Sequence, residues 1–124
     1  MIGLNRKKIG DRGELLARKF FTDKSYIVVA RNFRCRYGEI DLVLRKDKSF
    51  RFVEVKFRRS MEYGLPQESV IRKKQRRIRN AATYWLRLRH VSVMNTDCDF
   101  HFDVLAISES SRGKIEYELI EDAF

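Results

Sequence analysis

Hydrophobic and polar positions along the chain follow two periods, one typical of amphipathic helices and one typical of half-buried strands. The predicted elements, in chain order, are a helix over 9–24, strands over 26–33, 39–45 and 50–58, a loop over 60–67, a helix over 68–90, a loop over 92–99, and strands over 100–107 and 115–120. The first helix should bury Ile9, Leu15, Leu16, Phe20 and Phe21, and the second Ile71, Ile78, Ala81 or Ala82, Trp85 and Leu88. This order predicts one α/β domain over 1–124, with a mixed central sheet of about five strands between the N-terminal helix and a long basic helix.

The second and third strands should form an antiparallel hairpin, because only four polar residues separate them. A symmetric connection sets Asp41 opposite Glu54 and Glu39 opposite Lys56 on one face of the sheet. The same alternation predicts that the apolar residues Ile40, Leu42 and Leu44 share the other face. Glu39 and Lys56 would then form an ordinary cross-strand salt bridge.

The opposed acids, Asp41 and Glu54, are the candidate chemistry of the chain. Their Cβ atoms would lie about 5 Å apart, and at an effective dielectric constant near 20 the two charges would repel by about 3 kcal/mol. A hard divalent cation offsets this repulsion, since Mg²⁺ is commonly held by one or two carboxylates. With Lys56 nearby to stabilise phosphate charge, the pattern predicts phosphodiester hydrolysis. The alternative is a solvated sheet face on which both acids point into water or pair with arginines.

Charge indicates the partner. The chain has 27 Lys and Arg against 17 Asp and Glu, a net charge of +10, which favours a polyanion and above all nucleic acid. Six of the eight residues over 72–79 are basic, a density that can hold a phosphate backbone without reading sequence. Within this run, Lys74 lies on the packed side and could reach the metal site. There are three alternatives to nucleic-acid binding. The net charge gives only a generically basic surface, the basic run is a solvated helix face, or the basic helix lies on an anionic lipid surface.

The two cysteines and the apolar segments bear on the compartment. Cys35 and Cys98 stand apart, without the spacing of a zinc site, and are expected to be buried, reduced thiols. No segment has the pattern of a signal peptide or a membrane span. We therefore expect a cytoplasmic protein that does not bind a membrane.

The run Glu54-Val55-Lys56 after Asp41 resembles the PD-(D/E)XK nuclease superfamily, whose acidic residue and ExK motif lie on adjacent strands of a hairpin. The wider pattern comprises Gly10, Gly13, Glu14 and Ala17; Arg31, Asn32, Arg34 and Arg36; Gly38, Glu39, Ile40 and Asp41; Phe52 to Lys56; Val70, Lys74 and Arg77; and Phe102, Asp103 and Val104. Together these residues resemble the bacterial YraN family, which is similar to archaeal Holliday junction resolvases. The resemblance covers nearly the whole chain and implies a restriction-endonuclease-like core.

The resemblance also implies roles for individual residues. Asp41 and Glu54 would be metal ligands, Lys56 the catalytic lysine, and Glu14 a further acid of the metal shell, with Mg²⁺ or Mn²⁺ as the cofactor. For Glu14 the alternatives are a helix-dipole partner or an arginine partner. The expected nucleic-acid contacts are Arg34, Arg36, Arg58, Arg72, Lys73, Lys74, Arg76 and Arg77.

Three positions differ from the pattern or have a second interpretation. Ile40 replaces the proline of the superfamily's name, and His101 replaces a common arginine and is expected to be a neutral imidazole packed beside a strand. Asp103 either reaches the site or pairs with an arginine.

The residues therefore predict a Mg²⁺-dependent endonuclease acting on DNA. The resemblance implies branched or junction DNA in repair or recombination as its substrate, and such two-fold substrates favour a homodimer. The alternative is a non-catalytic nucleic-acid-binding module or adaptor that uses the same basic surface.

Overall fold

Five strands form one sheet, and one helix packs on each of its faces. The computed structural model describes residues 2–59, 71–91 and 97–124, with side chains of the first segment from residue 10 onward. The elements are α1 (Ile2–Thr22), β1 (Ile27–Cys35), β2 (Gly38–Lys46), β3 (Ser49–Arg58), α2 (Arg72–Leu88), β4 (Asp99–Glu109) and β5 (Ile115–Ile120). The predicted loop over 60–67 and positions 92–96 of the later loop lie outside these residues.

The strands follow one another in the sheet in chain order, β1-β2-β3-β4-β5. Neighbours pair antiparallel except β3 and β4, which are parallel. A parallel pair needs a crossover connection, and α2 lies in it. The predicted fold class, α/β with a mixed five-stranded sheet, an N-terminal helix and a later basic helix, is confirmed.

The predicted register of the β2–β3 hairpin is correct for the five pairs from Lys46↔Ser49 to Leu42↔Val53. Asp47 turns the chain with a φ of 54°, a left-handed conformation that Asp adopts more readily than most residues. Asp41 and Glu54 are the next residues after the last of these pairs, Leu42↔Val53, one on each of the two adjacent strands.

Two apolar cores lie on opposite faces of the sheet. The α1 face buries Ala17, Phe21, Leu42, Leu44, Val53, Leu105 and Ile107. The α2 face buries Ile40, Val43, Phe50, Phe52, Ile78, Ala81, Ala82, Trp85, Leu86 and Val104. The prediction that Ile40 shares a face with Leu42 and Leu44 is therefore wrong, because strict alternation is interrupted next to Asp41.

The helical stripes also differ in part from the prediction. Leu15, Ile71 and Leu88 are exposed, at 57%, 62% and 52%. The buried stripe of α1 consists of Gly13, Ala17 and Phe21. Leu15 is two residues from both Gly13 and Ala17, which places its side chain on the opposite side of the helix. In α2, Leu86 takes the buried place predicted for Leu88. Ile71 precedes the helix with extended backbone, so α2 begins at Arg72, and the predicted helical positions 68–70 lie outside the described residues.

In the part of the chain that the structure describes, Cys35 and Cys98 form no disulfide bond, as predicted, but both are half-buried rather than buried, beside the α2-face core. Over the residues that the structure describes, neither helix combines the length and apolar character that crossing a bilayer requires.

Candidate active site

Asp41 lies on β2 just past the last β2–β3 pair. Its Oδ2 accepts a hydrogen bond from the backbone N–H of Val55, with 2.8 Å between the two atoms. A side-chain oxygen thus satisfies a β3 amide beyond the Leu42↔Val53 pair. This contact holds Asp41 beside Val55, but the predicted pair of Asp41 opposite Glu54 does not form, because the β2–β3 pairs end at Leu42↔Val53.

Glu54 lies on β3 and is only 7% exposed. Its Oε1 is 2.5 Å from the Nζ of Lys74 on α2 and 3.3 Å from the Nζ of Lys56 on the same strand. Lys74 thus contacts Glu54, one of the two predicted metal ligands. A buried carboxylate needs such partners, because burial without them is costly.

The predicted salt bridge between Glu39 and Lys56 is wrong. Glu39 instead pairs with Arg34 on β1, at 3.1 Å, and both side chains are exposed. The reason is that the β2–β3 pairs run only as far as Leu42 and Val53, so Glu39 and Lys56 are not cross-strand neighbours. Lys56 therefore turns to Glu54.

The titratable groups of the site are affected by burial and by one another's charge. Burial, followed by the negative charge of Glu54, raises the pKa of Asp41 to about 7. Burial also lowers the pKa of Lys56. For Lys74, burial is outweighed by the hydrogen bond and charge of Glu54, so the pKa is raised. The site is thus a partly desolvated group of two acids and two lysines.

Glu14 reaches the same cavity as Asp41 from α1. This cavity, of about 610 Å³, is lined by Gly10, Asp11, Gly13, Glu14, Asn32, Arg34, Glu39, Asp41, Val55 and Phe57. Glu14 Oε1 accepts a hydrogen bond from Asn32 Nδ2 at 3.1 Å and lies 4.0 Å from Arg31 Nε. Asn32 was not predicted as a site residue, although its φ of 48° is a conformation in which Asn is enriched.

The donors present suit a hard cation, because Asp41 and Glu54 offer the carboxylate oxygens that such a cation prefers. Within the described segments, no group of three or more His, Cys, Asp or Glu side chains is arranged to hold a metal ion. Metal binding by Asp41 and Glu54, and the addition of Glu14 to a metal shell, therefore stay predictions.

A second cavity, of about 570 Å³, opens beside Glu54, and basic side chains outnumber acidic ones in its lining, so we term it the basic cavity. It is lined by Arg34, Cys35, Gly38, Glu39, Glu54, Ile71, Lys73, Lys74, Arg77 and Ile78. Gly38 lets α2 approach closely, since a Cβ there would lie 3.3 Å from the Cβ of Arg77. Arg34 and Glu39 line both this cavity and the first one, which contains Glu14 and Asp41 and which we term the acidic cavity. Their ion pair therefore lies where the acidic and basic cavities meet.

The other predicted nucleic-acid contacts lie on different elements of the fold. Arg36 is exposed and donates a hydrogen bond to the hydroxyl of Tyr37 at 2.7 Å. Arg72 and Arg76 are exposed on α2, and Arg58 is half-buried near the end of β3. Of the eight predicted residues, Arg34, Lys73, Lys74 and Arg77 line the basic cavity, and the other four are not among its lining residues.

Asp103 and His101 form a separate cluster. Asp103 is fully buried and binds Arg51 through both carboxylate oxygens, at 3.1 and 2.9 Å, so the arginine-partner interpretation is correct. Asp103 also accepts a hydrogen bond from the backbone N–H of Asp122 at 2.8 Å. The half-buried ring of His101 lies beside its strand as predicted, with Nδ1 2.7 Å from Asp122 Oδ1.

Comparison with known proteins gives one consistent family. The model of "Uncharacterised protein family UPF0102" matches residues 13–107. The chain is 42% identical to a UPF0102 protein of Geotalea uraniireducens (strain Rf4) over 97% of this chain and 91% of the relative. It is 41% identical to one of Caldicellulosiruptor bescii over 98% of this chain and 100% of the relative. It is also 42% identical to UPF0102 protein GSU0650 of Geobacter sulfurreducens over 97% and 91%.

Proposed function

The chain belongs to the uncharacterised protein family UPF0102, the family that its resemblance to YraN predicts, and we propose that it is a cytoplasmic nucleic-acid-binding protein that hydrolyses DNA phosphodiesters with Mg²⁺ or Mn²⁺. The observation that carries this proposal is the group formed by Asp41, Glu54 and Lys56. Asp41 is hydrogen bonded to the amide of the residue between the other two. Two acids and a lysine are thus gathered at one end of a hairpin.

Asp41 and Glu54 would hold the metal through their carboxylate oxygens. A divalent cation bound there would polarise a scissile phosphate and lower the pKa of a water molecule. Lys56, with its ammonium 3.3 Å from Glu54 Oε1, is positioned to stabilise negative charge that develops on the phosphate. Glu14 faces the cavity that contains Asp41 and would orient water or metal from the α1 side.

The basic cavity supports the choice of nucleic acid as substrate. Lys73 and Arg77 line it next to Glu54, with Arg34 at its border with the acidic cavity. A phosphate backbone crossing from α2 toward the hairpin would meet basic side chains first and the two acids afterwards. The net charge of +10 adds long-range attraction for a polyanion.

The proposed substrate form rests on the resemblance to archaeal Holliday junction resolvases. Branched DNA is therefore the first substrate to test, and its two-fold symmetry favours a homodimer.

A second function, a non-catalytic nucleic-acid-binding module or adaptor, is favoured by one specific observation. Lys74 and Lys56 already neutralise Glu54 without a metal ion. In such a module, neutralising Asp41 or Glu54 would leave DNA affinity unchanged or increase it, because a negative charge is removed.

Cleavage of labelled DNA distinguishes the two functions. The full chain and its Asp41→Asn and Glu54→Gln variants are incubated with a four-way junction and a linear duplex, with Mg²⁺, Mn²⁺ or chelator. The matched control is Glu116→Gln, which removes an exposed carboxylate on β5. We expect metal-dependent cleavage by the wild type and the control, and loss of cleavage with retained DNA binding in both site variants. DNA binding without cleavage by any of the four proteins would support the module instead.

A further inference from the structure

Lys74 lies closer to the Glu54 carboxylate than Lys56 does. Its Nζ lies 2.5 Å from Glu54 Oε1, closer than the 3.3 Å of Lys56 Nζ to the same oxygen. Two ammonium groups therefore share one oxygen atom of a nearly buried carboxylate. A cation that binds Glu54 through this oxygen has to displace at least one of them.

The local charge balance gives the same conclusion. Asp41 and Glu54 supply two negative charges when ionised, and Lys56 and Lys74 supply two positive charges. A divalent cation added to this neutral group would leave a net charge of two in a partly desolvated site, which is unfavourable. The departure of one ammonium group relieves half of that excess.

Exposure determines which lysine leaves. The Lys56 side chain is 15% exposed and belongs to a strand in the middle of the sheet, whereas the Lys74 side chain is 41% exposed on a surface helix. A lysine ammonium is strongly hydrated and sits on a flexible stem. Moving Lys74 into the adjoining basic cavity requires only a change of rotamers, because Lys74 already lines that cavity.

We propose that Lys74 is a displaceable counter-ion for Glu54, which holds the carboxylate in the metal-free protein and is released into the basic cavity when the metal binds. This inference rests on the metal site of the proposed function and adds a coupling between metal and substrate. Once released, the Lys74 ammonium is available to a phosphate group in the basic cavity. Metal and polyanion binding should therefore favour each other through this residue.

Mn²⁺ affinity tests the exchange directly, without any catalytic reaction. The dissociation constant is measured by electron paramagnetic resonance for the full chain and for Lys74→Met, Lys73→Met and Glu54→Gln. Lys73→Met is the matched control, because it removes one positive charge from the adjacent position of α2 and from the same cavity. We expect Lys74→Met to bind Mn²⁺ about tenfold more tightly than wild type, with less than about a twofold effect of Lys73→Met.

Equal effects of the two lysine variants, or weaker Mn²⁺ binding by Lys74→Met, would overturn the counter-ion role. If Glu54→Gln still abolishes binding in that case, the metal site survives and only the role of Lys74 is wrong. Absence of Mn²⁺ binding by the wild type and by Lys74→Met would contradict the metal site and the counter-ion together.

A second measurement uses the unmodified side chain. In a spectrum of ¹⁵N-labelled lysine side chains, the Lys74 ammonium signal is identified by its loss in Lys74→Met. We expect Mg²⁺ to shift this signal toward those of exposed lysines while the Lys73 signal stays in place. A Lys74 signal that does not move at saturating Mg²⁺ would overturn the proposal.

Discussion

The Asp41 carboxylate and the Val55 backbone amide are joined by a hydrogen bond of 2.8 Å across the end of the β2–β3 hairpin. The contact replaces a main-chain bond where the two strands cease to pair, and it places Asp41 next to Glu54 and Lys56. The same contact keeps the Asp41 carboxyl group half-buried and close to the second acid, Glu54. The stability of the metal-free protein should therefore depend on the protonation of Asp41.

The first prediction concerns pH. The pKa of Asp41 is raised to about 7 in the folded protein by burial and by Glu54, whereas an unfolded Asp titrates near pH 3.9. The folded state binds the extra proton, so this contribution to stability is complete below about pH 4 and is lost as pH rises through about 7. Asp41→Asn removes this loss. The unfolding free energy of the variant minus that of wild type should therefore be larger at pH 8 than at pH 5, by about 2–4 kcal/mol.

Urea unfolding of the metal-free proteins at the two pH values measures this difference. Asparagine keeps an oxygen that can accept the Val55 N–H, so the hydrogen bond need not be lost. Glu116→Gln, which changes an exposed carboxylate, should show little change relative to wild type over the same range. A parallel pH dependence of Asp41→Asn and wild type would contradict the account of Asp41.

The second prediction concerns the packing of α1 on β3. A Cβ added at Gly13 would lie 2.8 Å from the Cβ of Phe57, so Gly13→Ala forces the helix and strand apart. We expect a loss of about 1–3 kcal/mol in unfolding free energy from this overpacking. Because Glu14 follows Gly13 directly, the same shift should also move Glu14 in the acidic cavity.

Gly10→Ala is the matched control for this substitution. It lies on the same helix, and a Cβ there would contact nothing within 4 Å. Alanine should stabilise that position by up to about 1 kcal/mol, through helix propensity alone. Thermal unfolding of both variants compares them, and equal stabilisation by the two would show that Gly13 is not a packing position.

The third prediction separates the Asp103 cluster from the site. Asp103→Asn removes the charge that pairs with Arg51, whose side chain is only 14% exposed. Leaving that guanidinium buried without a counter-charge should cost about 3–5 kcal/mol of unfolding free energy. Chemical denaturation measures the loss, and Mn²⁺ affinity measured well below the unfolding temperature should be that of wild type. A stable variant, or one with impaired Mn²⁺ binding, would contradict a purely structural role.

The fourth prediction concerns the exposed basic face of α2. Arg72→Gln and Arg76→Gln each remove one exposed charge, so folding should be unaffected. If each residue contacts a phosphate, each substitution should lower the slope of log affinity against log salt by about 1, equally for different DNA sequences. Fluorescence anisotropy over a salt series measures the slope, and an unchanged slope in both variants would place the DNA elsewhere on the protein.

The hairpin and its register could be predicted because they depend on local features. A short polar connection and two alternating strands determine which residues pair, and the pairs from Lys46↔Ser49 to Leu42↔Val53 agree. The end of this pairing could not be predicted, since it depends on the sheet as a whole. As a consequence, Ile40 packs on the α2 face and Glu39 pairs with Arg34 instead of Lys56.

The candidate site was similarly predicted in its residues but not in its contacts. The spacing of Asp41, Glu54 and Lys56 identifies the acids and the lysine, and the packed side of α2 identifies Lys74. That Lys74 contacts Glu54 more closely than Lys56 does depends on the approach of α2 to the sheet, which Gly38 permits. Helix periodicity gives the direction of a side chain but not the depth to which its helix is packed.

Mn²⁺ affinity in the presence of branched DNA is the decisive test of the proposed metal site, because it does not depend on finding a cleavable substrate. Wild type is compared with Asp41→Asn and Glu54→Gln at a pH above 7, where Asp41 is ionised. We expect saturable Mn²⁺ binding by wild type that both substitutions abolish, while DNA binding is retained. Absence of Mn²⁺ binding, or binding that is the same in all three proteins while DNA affinity persists, would contradict the proposed metal site and leave a basic nucleic-acid-binding module.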